Sequence, residues 1–354
     1  MAIKKAIPAP FNKGVNFTNW LEFRTADRVD ENWFTKEDFM NVKKLGGDVV
    51  RLPIHFETLC DKENGYAVPE KIWKILDNVA AWAEELNIYV IFDFHNSTHI
   101  DSVTPDSVGD VLLPIWDQIS KRYKDASDYI VYELMNEPHG IEIERWNEII
   151  FKLFNHVRSI DSKHYIIVGG ADWNSFKAMS MLPDFKDDKV IYTFHFYDPH
   201  TFTHQGASWC HMERVVGIPF PYDPRKMPKL PENPTEDERR RFENYPECGT
   251  LEETVKFFDQ YSKFSIDRNA PIYCGEFGAF GPFMSKEQRV TWYKIVVDLL
   301  EERSISRTSW DYFGPFGVFE MGSMFKDGKW CRPQFPEDLN NEVLQAMRLE
   351  TFNK

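Results

Sequence analysis

Eight short apolar segments alternate with helix-like segments along this chain of 354 residues, and this alternation limits the fold more than any other feature. The apolar segments lie at residues 14–17, 49–53, 89–94, 130–135, 165–169, 190–195, 271–275 and 308–310. Strands that alternate with helices build parallel sheets, because each helix carries the chain back to the edge where the preceding strand began. Eight such units close a barrel. The sequence therefore predicts an α/β fold, a (β/α)8 TIM barrel, with residues 1–354 as a single domain.

Helical patterns between the strands carry their own start and stop signals. Thr35 is placed to cap a helix that ends before Gly46. Pro69 suits the first turn of another helix, in which apolar residues recur three and four positions apart as far as Leu86. The same spacing is repeated at 142–160. We interpret these apolar stripes as faces that pack against the sheet.

Residues 199–250 depart from this regular spacing. Eight of the 21 prolines lie there, interleaved with charged residues in the stretch PENPTEDERRRFENYPE. A helical pattern at 251–264 and then the seventh strand follow. We therefore predict a long proline-rich loop inserted after the sixth strand, and not a second domain. Long loops on this face of a barrel shape binding sites.

Two glutamates follow strands at equivalent places in the predicted barrel. The fourth strand ends at Asn136, Glu137 and Pro138, and proline restricts the residue before it to extended geometry. The seventh strand ends at Glu276, in the stretch PIYCGEFGAF. Parallel barrels place their chemistry at these carboxyl ends. Either glutamate alone fits an ordinary polar turn, but the pair favours a shared site.

A pair of carboxyl groups at one barrel mouth is what glycoside hydrolysis requires. One group is protonated at the working pH and the other is ionised, and a retaining enzyme holds them about 5 Å apart. Each negative charge raises the pKa of the other carboxyl group, and unequal surroundings decide which group keeps the proton. We therefore predict Glu137 and Glu276 as the catalytic residues.

Other strand ends supply polar and aromatic partners. Arg51 ends the second strand, His95 the third, and His195 with Tyr197 the sixth. A buried arginine favours the ionised form of a neighbouring carboxyl group, although an arginine in this position is as often a rim salt bridge. Tryptophans also follow strands, and sugar rings pack their C–H faces on aromatic rings. They are Trp20, Trp173 and Trp310.

Several classes of function are disfavoured by composition and by the motifs. A formal net charge of −14 argues against nucleic-acid binding, which needs clustered Lys and Arg, and no apolar run reaches the roughly 18 residues of a membrane span. His95, His99, His195 and His204 show no metal-binding spacing, and we found no glycine-rich phosphate loop and no GxSxG motif. We expect no cofactor and no metal.

Cysteine usage and the first residues say less. The five cysteines form no CxxC, and we expect free thiols, although Cys210 and Cys248 could bridge the long loop. The stretch MAIKKAIPAPFNKG lacks the apolar core of a signal peptide. The sequence fits a cytoplasmic protein or a secreted one without its signal, and we expect a monomer.

With these motifs in order, from GVNFTNWLEF to SWDYFGPFGVF, the chain resembles glycoside hydrolase family 5, whose members are retaining endo-glucanases and mannanases. The resemblance implies that Glu137 is the acid/base, that Glu276 is the nucleophile and that Asn136 contacts the sugar 2-hydroxyl. It also implies that Arg51 and Tyr197 support the nucleophile, and that His95, His195 and Trp310 belong to the site. Further candidate substrate-binding residues from this comparison are Asn19, Glu22, Trp173, His204 and Gln205.

Three features depart from many relatives in this family. His95 is followed by Asn96 instead of a second histidine, Trp310 is followed by Asp311 instead of glutamate, and the insertion is longer. These differences bear on substrate preference and leave the reaction type unchanged. The sequence therefore predicts a retaining endo-β-1,4-glycanase that acts on cellulose-type or mixed-linkage β-glucan.

Three alternatives to this prediction stay open. A β-mannanase or xyloglucanase would use the same scaffold, because a few loop residues distinguish the orientation of one hydroxyl. A non-catalytic carbohydrate-binding barrel would be marked by the loss of one glutamate, and a metal-dependent barrel hydrolase by inhibition with a chelator.

Overall fold

A closed barrel of eight parallel strands forms the centre of the computed structural model, which describes residues 3–22, 25–96, 102–326 and 329–352. The barrel strands are β1 (Lys13–Asn16), β2 (Val49–Ile54), β3 (Tyr89–Phe94), β4 (Ile130–Glu133), β5 (Tyr165–Gly169), β6 (Val190–Phe196), β7 (Ile272–Phe277) and β8 (Ser306–Ser309). Each strand pairs with the next, and β8 pairs with β1. The predicted TIM barrel is confirmed.

Helices cover the outside of the barrel. They are α1 (Lys36–Lys44), α2 (Phe56–Leu59), α3 (Glu70–Leu86), α4 (Gly109–Tyr123), α5 (Ile143–Ile160), α6 (Ala171–Asn174), α7 (Phe176–Ser180), α8 (His200–Thr203), α9 (Glu236–Cys248), α10 (Leu251–Arg268), α11 (Lys286–Glu302), α12 (Met321–Met324) and α13 (Asn341–Ala346). Short 3-10 turns lie at Ala26–Arg28, Lys62–Asn64, Ser208–Cys210 and Gly281–Phe283, and a small hairpin joins β9 (Phe325–Lys326) to β10 (Lys329–Trp330). Thr35 caps α1 in a capping box with Asp38, as its sequence predicts.

The barrel interior has an apolar lower layer and a polar upper layer. Side chains alternate between the two faces of a strand, so every second residue points inward. The lower layer is a separate apolar cluster of Phe11, Val49, Ile91, Val131, Ile167, Ile191 and Tyr273. Two residues further along their strands, Arg51, Asp93 and Glu133 point into the same interior and contact one another. The upper layer therefore carries charge towards the barrel mouth.

Two strand boundaries differ from those predicted. β4 ends at Glu133, two residues before the predicted end, because the next amide, of Leu134, bonds to Ile167 O outside the regular ladder. β7 extends to Phe277, two residues beyond the predicted end. Glu276 therefore lies within the paired part of the strand and pairs with His195 of β6.

The interpretation of 199–250 as loop throughout needs correction. The segment contains α8, a 3-10 turn and the 13-residue helix α9. Thr235 caps α9 in a capping box with Glu238, and three acidic residues occupy its first turn. Pro246 lies in the last turn, where most of the helix has already formed. These local signals stabilise a helix in a stretch whose low apolar content and prolines had led to the prediction of a loop.

All five cysteines are free thiols, as expected. Within the described parts of the chain, no helix combines the length and the apolar character that crossing a membrane requires.

Candidate active site at the barrel mouth

Arg51 connects most of the polar groups in the upper interior. Its guanidinium donates to both carboxyl oxygens of Glu133, at 2.7 and 2.9 Å, and lies 3.1 Å from Asp93 Oδ2. Nη1 also donates to Asn16 Oδ1 at 3.0 Å and to Glu276 Oε1 at 2.7 Å. The side chain is fully buried. A buried guanidinium needs such partners, because an unpaired charge in the interior is costly.

Glu276 is held by two donors. One carboxyl oxygen accepts from Arg51, and the other accepts from the hydroxyl of Tyr197 at 2.8 Å. A guanidinium and a hydroxyl that donate to the two oxygens of one carboxyl group fix its orientation. Glu276 therefore has both of its carboxyl oxygens held in place, one of them by a cationic donor.

A bulge in β7 decides that Glu276 faces the barrel interior. Phe194 pairs with Cys274, but His195 pairs with Glu276, so Gly275 is an extra residue in the ladder. Tyr273 points inward and Cys274 outward, and strict alternation would therefore turn residue 276 outward. A Cβ at position 275 would lie 2.9 Å from His195 Nε2 and 3.0 Å from Thr193 Oγ1, so only glycine fits there.

Glu137 has different surroundings. One of its carboxyl oxygens is hydrogen-bonded to Nδ1 of His195, and the residue is 9% exposed. Burial raises the pKa of Glu137 to about 7, against a smaller opposing effect of the Arg51 charge. Burial also lowers the pKa of His195 to about 4, so this imidazole is neutral near pH 7. Glu137 is therefore able to hold a proton at neutral pH.

The two glutamates lie within reach of one small group. One oxygen of Glu137, one ring nitrogen of His195 and one oxygen of Glu276 all lie within 4.8 Å of one another. This upper limit on the distance between their nearest oxygens is compatible with the separation of about 5 Å between the two carboxyl groups of a retaining glycosidase. In the described parts of the chain, this is also the one cluster with three donor groups suited to a metal ion. His99, considered above as a metal ligand, lies outside the described residues.

Asn136 is oriented on both sides. Its Oδ1 accepts from Arg51 Nη2 at 2.7 Å, and its backbone carbonyl accepts from Asn174 Nδ2 at 2.7 Å. Among the described residues, the buried amide nitrogen Nδ2 has no hydrogen-bond partner. A buried donor without a partner is costly, so this group is suited to a hydroxyl of a bound molecule.

His95, Trp310 and Glu22 form a second wall of the site. The ring of His95 stacks on Trp310 with centroids 5.7 Å apart, and its Nδ1 binds Asp93 at 2.7 Å. Burial lowers the pKa of His95 to about 3, so this imidazole is neutral near pH 7. Glu22 lies 3.9 Å from His95, and burial raises the pKa of Glu22 to about 8. Asn19, exposed beside them, donates its backbone N–H to Glu22 at 2.5 Å.

Trp173 offers an open ring face beside Glu137. The ring is 41% exposed and stacks on His139 with centroids 4.5 Å apart and 9° between the planes. Asp172, Trp173 and Asn174 all have left-handed backbone angles, with φ of 56°, 53° and 58°. Three consecutive non-glycine residues in this region are strained, and such strain concentrates at functional sites. Trp173 is therefore placed as a platform.

Two of the predicted substrate-binding residues do not fit that role. Trp20 is 1% exposed, its ring packs edge-on against Phe34 and its Nε1 donates to Asp30 O at 2.8 Å. It is a core residue with no free ring face. Gln205 is also 1% exposed, and its amide oxygen and nitrogen bond to the backbone N–H and C=O of Ile218. Gln205 holds the insertion together and has no polar group left for a ligand.

Sequence reasoning missed several residues that build the site. Asn16, Asp93 and Glu133 surround Arg51, and each is a polar residue at an inward position of an otherwise apolar strand. That pattern, visible in VIFDFHN and IVYELMNEP, was the available signal. Trp209 was also missed: it is 45% exposed and packs edge-on against Phe280, next to His204. It lies in the insertion, where no strand periodicity points to it.

Comparisons with known proteins give one consistent family. The sequence model described as cellulase (glycosyl hydrolase family 5) matches residues 11–314. Endoglucanase 3 of Fibrobacter succinogenes is 26% identical over 339 residues, which cover 89% of this chain and 51% of that protein. Endoglucanase C of Acetivibrio thermocellus is 27% identical over 320 residues, which cover 85% of this chain and 91% of that protein. The chain thus spans about half the length of the first relative and most of the second.

Solved structures agree with this comparison. The crystal structure of the endoglucanase Cel5A from Thermotoga maritima is similar with a TM-score of 0.76 and 27% identity, over 95% of this chain and 96% of that one. The same protein has been solved in complex with mannotriose, where the TM-score is 0.75 at 27% identity and the coverage is 95% and 97%.

Proposed function

The chain belongs to the cellulase family, glycosyl hydrolase family 5, so it is a glycoside hydrolase, and we propose that it is a retaining endo-β-1,4-glycanase acting on β-glucan. The observation that carries this proposal is that two carboxyl groups, with oxygens within 4.8 Å of each other, have different hydrogen-bond partners and different surroundings. One accepts hydrogen bonds from Arg51 and Tyr197, and the other has a pKa of about 7. A double displacement needs this combination.

In the first step, Glu276 attacks the anomeric carbon while Glu137 donates its proton to the departing oxygen. The bond between the sugar and the leaving group breaks, and an ester bond to Glu276 forms. Arg51 and Tyr197 keep the Glu276 carboxylate oriented for this attack. The Asn136 Nδ2 group, which has no hydrogen-bond partner in the described parts of the chain, donates to the sugar 2-hydroxyl.

In the second step, the ionised Glu137 takes a proton from water, and the water oxygen attacks the anomeric carbon. The ester bond to Glu276 breaks, Glu137 regains its proton, and the product keeps the original configuration. His195 is neutral and hydrogen-bonded to Glu137, so it fixes that carboxyl group without adding a positive charge that would lower its pKa.

Substituting each glutamate separately tests the roles. We expect Glu276→Gln to nearly abolish turnover of a soluble β-glucan while the protein stays folded, as measured by circular dichroism. With azide as an external nucleophile and an aryl glycoside as substrate, Glu276→Ala should yield the α-glycosyl azide and Glu137→Ala the β-glycosyl azide. Wild-type rates for Glu276→Gln, or the opposite pair of anomers, would remove these assignments.

A mannan-type substrate is the second candidate. The Thermotoga Cel5A protein, similar over 95% of this chain, has been solved with both mannotriose and cellobiose. Assays of reducing ends on barley β-glucan, carboxymethyl cellulose, glucomannan and xyloglucan would rank the substrates. Activity on β-glucan at least as high as on the others is the expected result, and activity retained in excess chelator would exclude a metal-dependent reaction.

A further inference from the structure

Helix α9 is held at both ends by the part of the insertion that precedes it. At its first turn, Glu238 accepts from Arg214 at 2.9 and 2.5 Å. Near its last turn, the buried hydroxyl of Tyr245 donates to Pro219 O at 2.6 Å. Between these two points, α9 presents its own side chains to the segment that follows β6. The helix is therefore anchored well enough to orient a neighbouring group.

Arg241 is the residue of α9 that reaches this segment. Its Nε donates to Asp237 Oδ2 at 2.6 Å, one turn earlier in the helix, and its side chain is 16% exposed. Nη1 of the same guanidinium lies 3.3 Å from His200 Nδ1. A guanidinium only donates hydrogen bonds, so Nδ1 of His200 accepts, and the proton of a neutral His200 is on Nε2.

His200 in turn contacts His204. The two imidazole rings stack with centroids 4.1 Å apart and 9° between their planes. The Thr203 hydroxyl donates to the carbonyl oxygen of Tyr197 at 2.5 Å, and so its one proton is used. Nδ1 of His204, 3.0 Å from the same hydroxyl oxygen, must therefore be the donor of that contact. Nε2 of His204 is left with a lone pair.

The His200–Arg241 cluster, formed by Asp237, Arg241, His200 and His204, ends next to the catalytic groups. The ring of His204 lies 5.1 Å from that of Tyr197, whose hydroxyl donates to Glu276. Trp209, with an exposed ring, lies 6.2 Å from His204 on the other side. His204 is thus part of the cleft wall between the nucleophile and an aromatic platform.

We propose that Arg241 is a positioning residue, which acts through His200 to fix the ring orientation of His204, so that the Nε2 lone pair of His204 is presented as a hydrogen-bond acceptor to a sugar hydroxyl. The proposal rests on the proposed function, because it assigns a sugar as the ligand. Burial lowers the pKa of His200 to about 4, and burial with the neighbouring His200 and Arg241 lowers the pKa of His204 well below its usual range, so both rings are neutral. A neutral imidazole is what an acceptor role requires.

The neighbouring arginine provides a matched control. Arg240 pairs with the same Asp237, but its side chain is 69% exposed, and in the described part of the chain Asp237 is its only ion-pair partner. Arg240→Met and Arg241→Met therefore remove the same charge from the same helix and differ in the contact with His200.

A double-mutant cycle tests the route through His200. We expect Arg241→Met to lower kcat/KM on soluble β-glucan about tenfold, the effect of one charge-assisted hydrogen bond, and Arg240→Met to change it less than about twofold. His200→Phe keeps the stacked ring and removes the acceptor, so it should cost about the same as Arg241→Met. The double variant should cost no more than either single variant. Equal losses for the two arginine variants, or multiplied losses in the double variant, would overturn the proposal.

A measurement without substrate separates this proposal from the proposed function. Nitrogen NMR of the imidazoles should show His200 with its proton on Nε2 in the wild type and in Arg240→Met, and a mixture of His200 tautomers in Arg241→Met, where the ring signals of His204 should shift as well. The signals are assigned by their loss in His200→Phe and in His204→Gln. If the protein hydrolysed no β-glycan but the tautomer still depended on Arg241, the function would fail and the positioning role would stand. An unchanged tautomer in Arg241→Met would refute the positioning role at any level of activity.

Discussion

Glu137 and Glu276 are the same side chain, and the atoms around each carboxyl group give them different chemistry. Glu276 receives two hydrogen bonds, one of them from a guanidinium. Glu137 has one neutral imidazole as its hydrogen-bond partner and is otherwise buried, so its charged form is less well solvated. The two carboxyl groups therefore differ in the hydrogen-bond donors around them, and the proposed mechanism depends on this difference.

The pH dependence of the reaction tests this difference. In the proposed first step Glu137 carries its proton, and burial raises its pKa to about 7, so kcat/KM on soluble β-glucan should fall as the pH rises above 7. The fall should approach tenfold per pH unit, because the protonated fraction falls by that factor. A pH titration of initial rates under first-order conditions measures it.

The control for this titration is Glu137→Gln with an aryl glycoside whose leaving group needs no proton. Its kcat/KM should show no decline above pH 7, since the titrating group is gone. A decline that persists in the variant would assign the fall in kcat/KM above pH 7 to another group. A wild-type profile that stays flat to pH 9 would contradict the pKa of about 7 for Glu137.

At the scale of the element, local signals and tertiary contacts carry different weights in different helices. α1 and α5 were predicted from capping and from apolar spacing, and both formed nearly as expected. α9 was missed, because its face carries few apolar residues and its flanks carry prolines. The capping box of Thr235 and Glu238 was nevertheless present in the sequence, and it was the signal to follow.

Removing this cap should loosen α9 locally. We expect Thr235→Ala to lower the free energy of opening of the first turn by about 1 kcal/mol, because an N–H group loses its acceptor. Amide hydrogen exchange at residues 236–241 should then be about fivefold faster. Thr250→Ala is the matched variant, since Thr250 caps α10 in the same way. Its effect should be confined to α10, and unchanged exchange in α9 of Thr235→Ala would contradict the role of the cap.

At the scale of the whole molecule, the barrel closes around a buried ionic cluster. Arg51 on β2 contacts side chains from β1, β3, β4 and β7, so one guanidinium connects five of the eight strands. Burial raises the pKa of Asp93 to about 7, and that of Glu133 is raised as well, although the charge of Arg51 opposes both shifts. Arg51 orients Glu276, the proposed nucleophile. The buried carboxyl groups of Asp93 and Glu133 have the Arg51 guanidinium as their neighbouring cation.

Removing the guanidinium should therefore destabilise the whole barrel. We expect Arg51→Met to lower the free energy of unfolding by about 3–5 kcal/mol, because it leaves buried carboxyl groups without their cation. Urea unfolding followed by circular dichroism measures this change.

Arg225→Met is the comparison for this experiment. Arg225 forms a two-point pair with Asp223 at 3.0 Å for each contact, but its side chain is 86% exposed. Its loss should change the free energy of unfolding far less than the loss of Arg51, because water screens and replaces the pair. Similar costs for the two variants would mean that burial does not give the Arg51 cluster its importance.

Local patterns in the sequence were enough to predict the barrel and most of the polar residues at its mouth. Strand and helix periods are local properties, and the carboxyl ends of eight parallel strands must meet at one rim. This was enough to predict that Glu137, Glu276, Arg51, His95, His195 and Tyr197 come together, as the structure shows.

The directions in which individual side chains face, and the groups that they contact, could not be predicted from the sequence and are seen only in the folded chain. The bulge at Gly275 turns Glu276 inward, the core closes over Trp20, and Gln205 bonds within the insertion. None of these follows from local periodicity, because each depends on contacts between segments far apart in the chain. For the same reason, the contact between Arg241 and His200 became visible only when α9 was placed against the segment after β6.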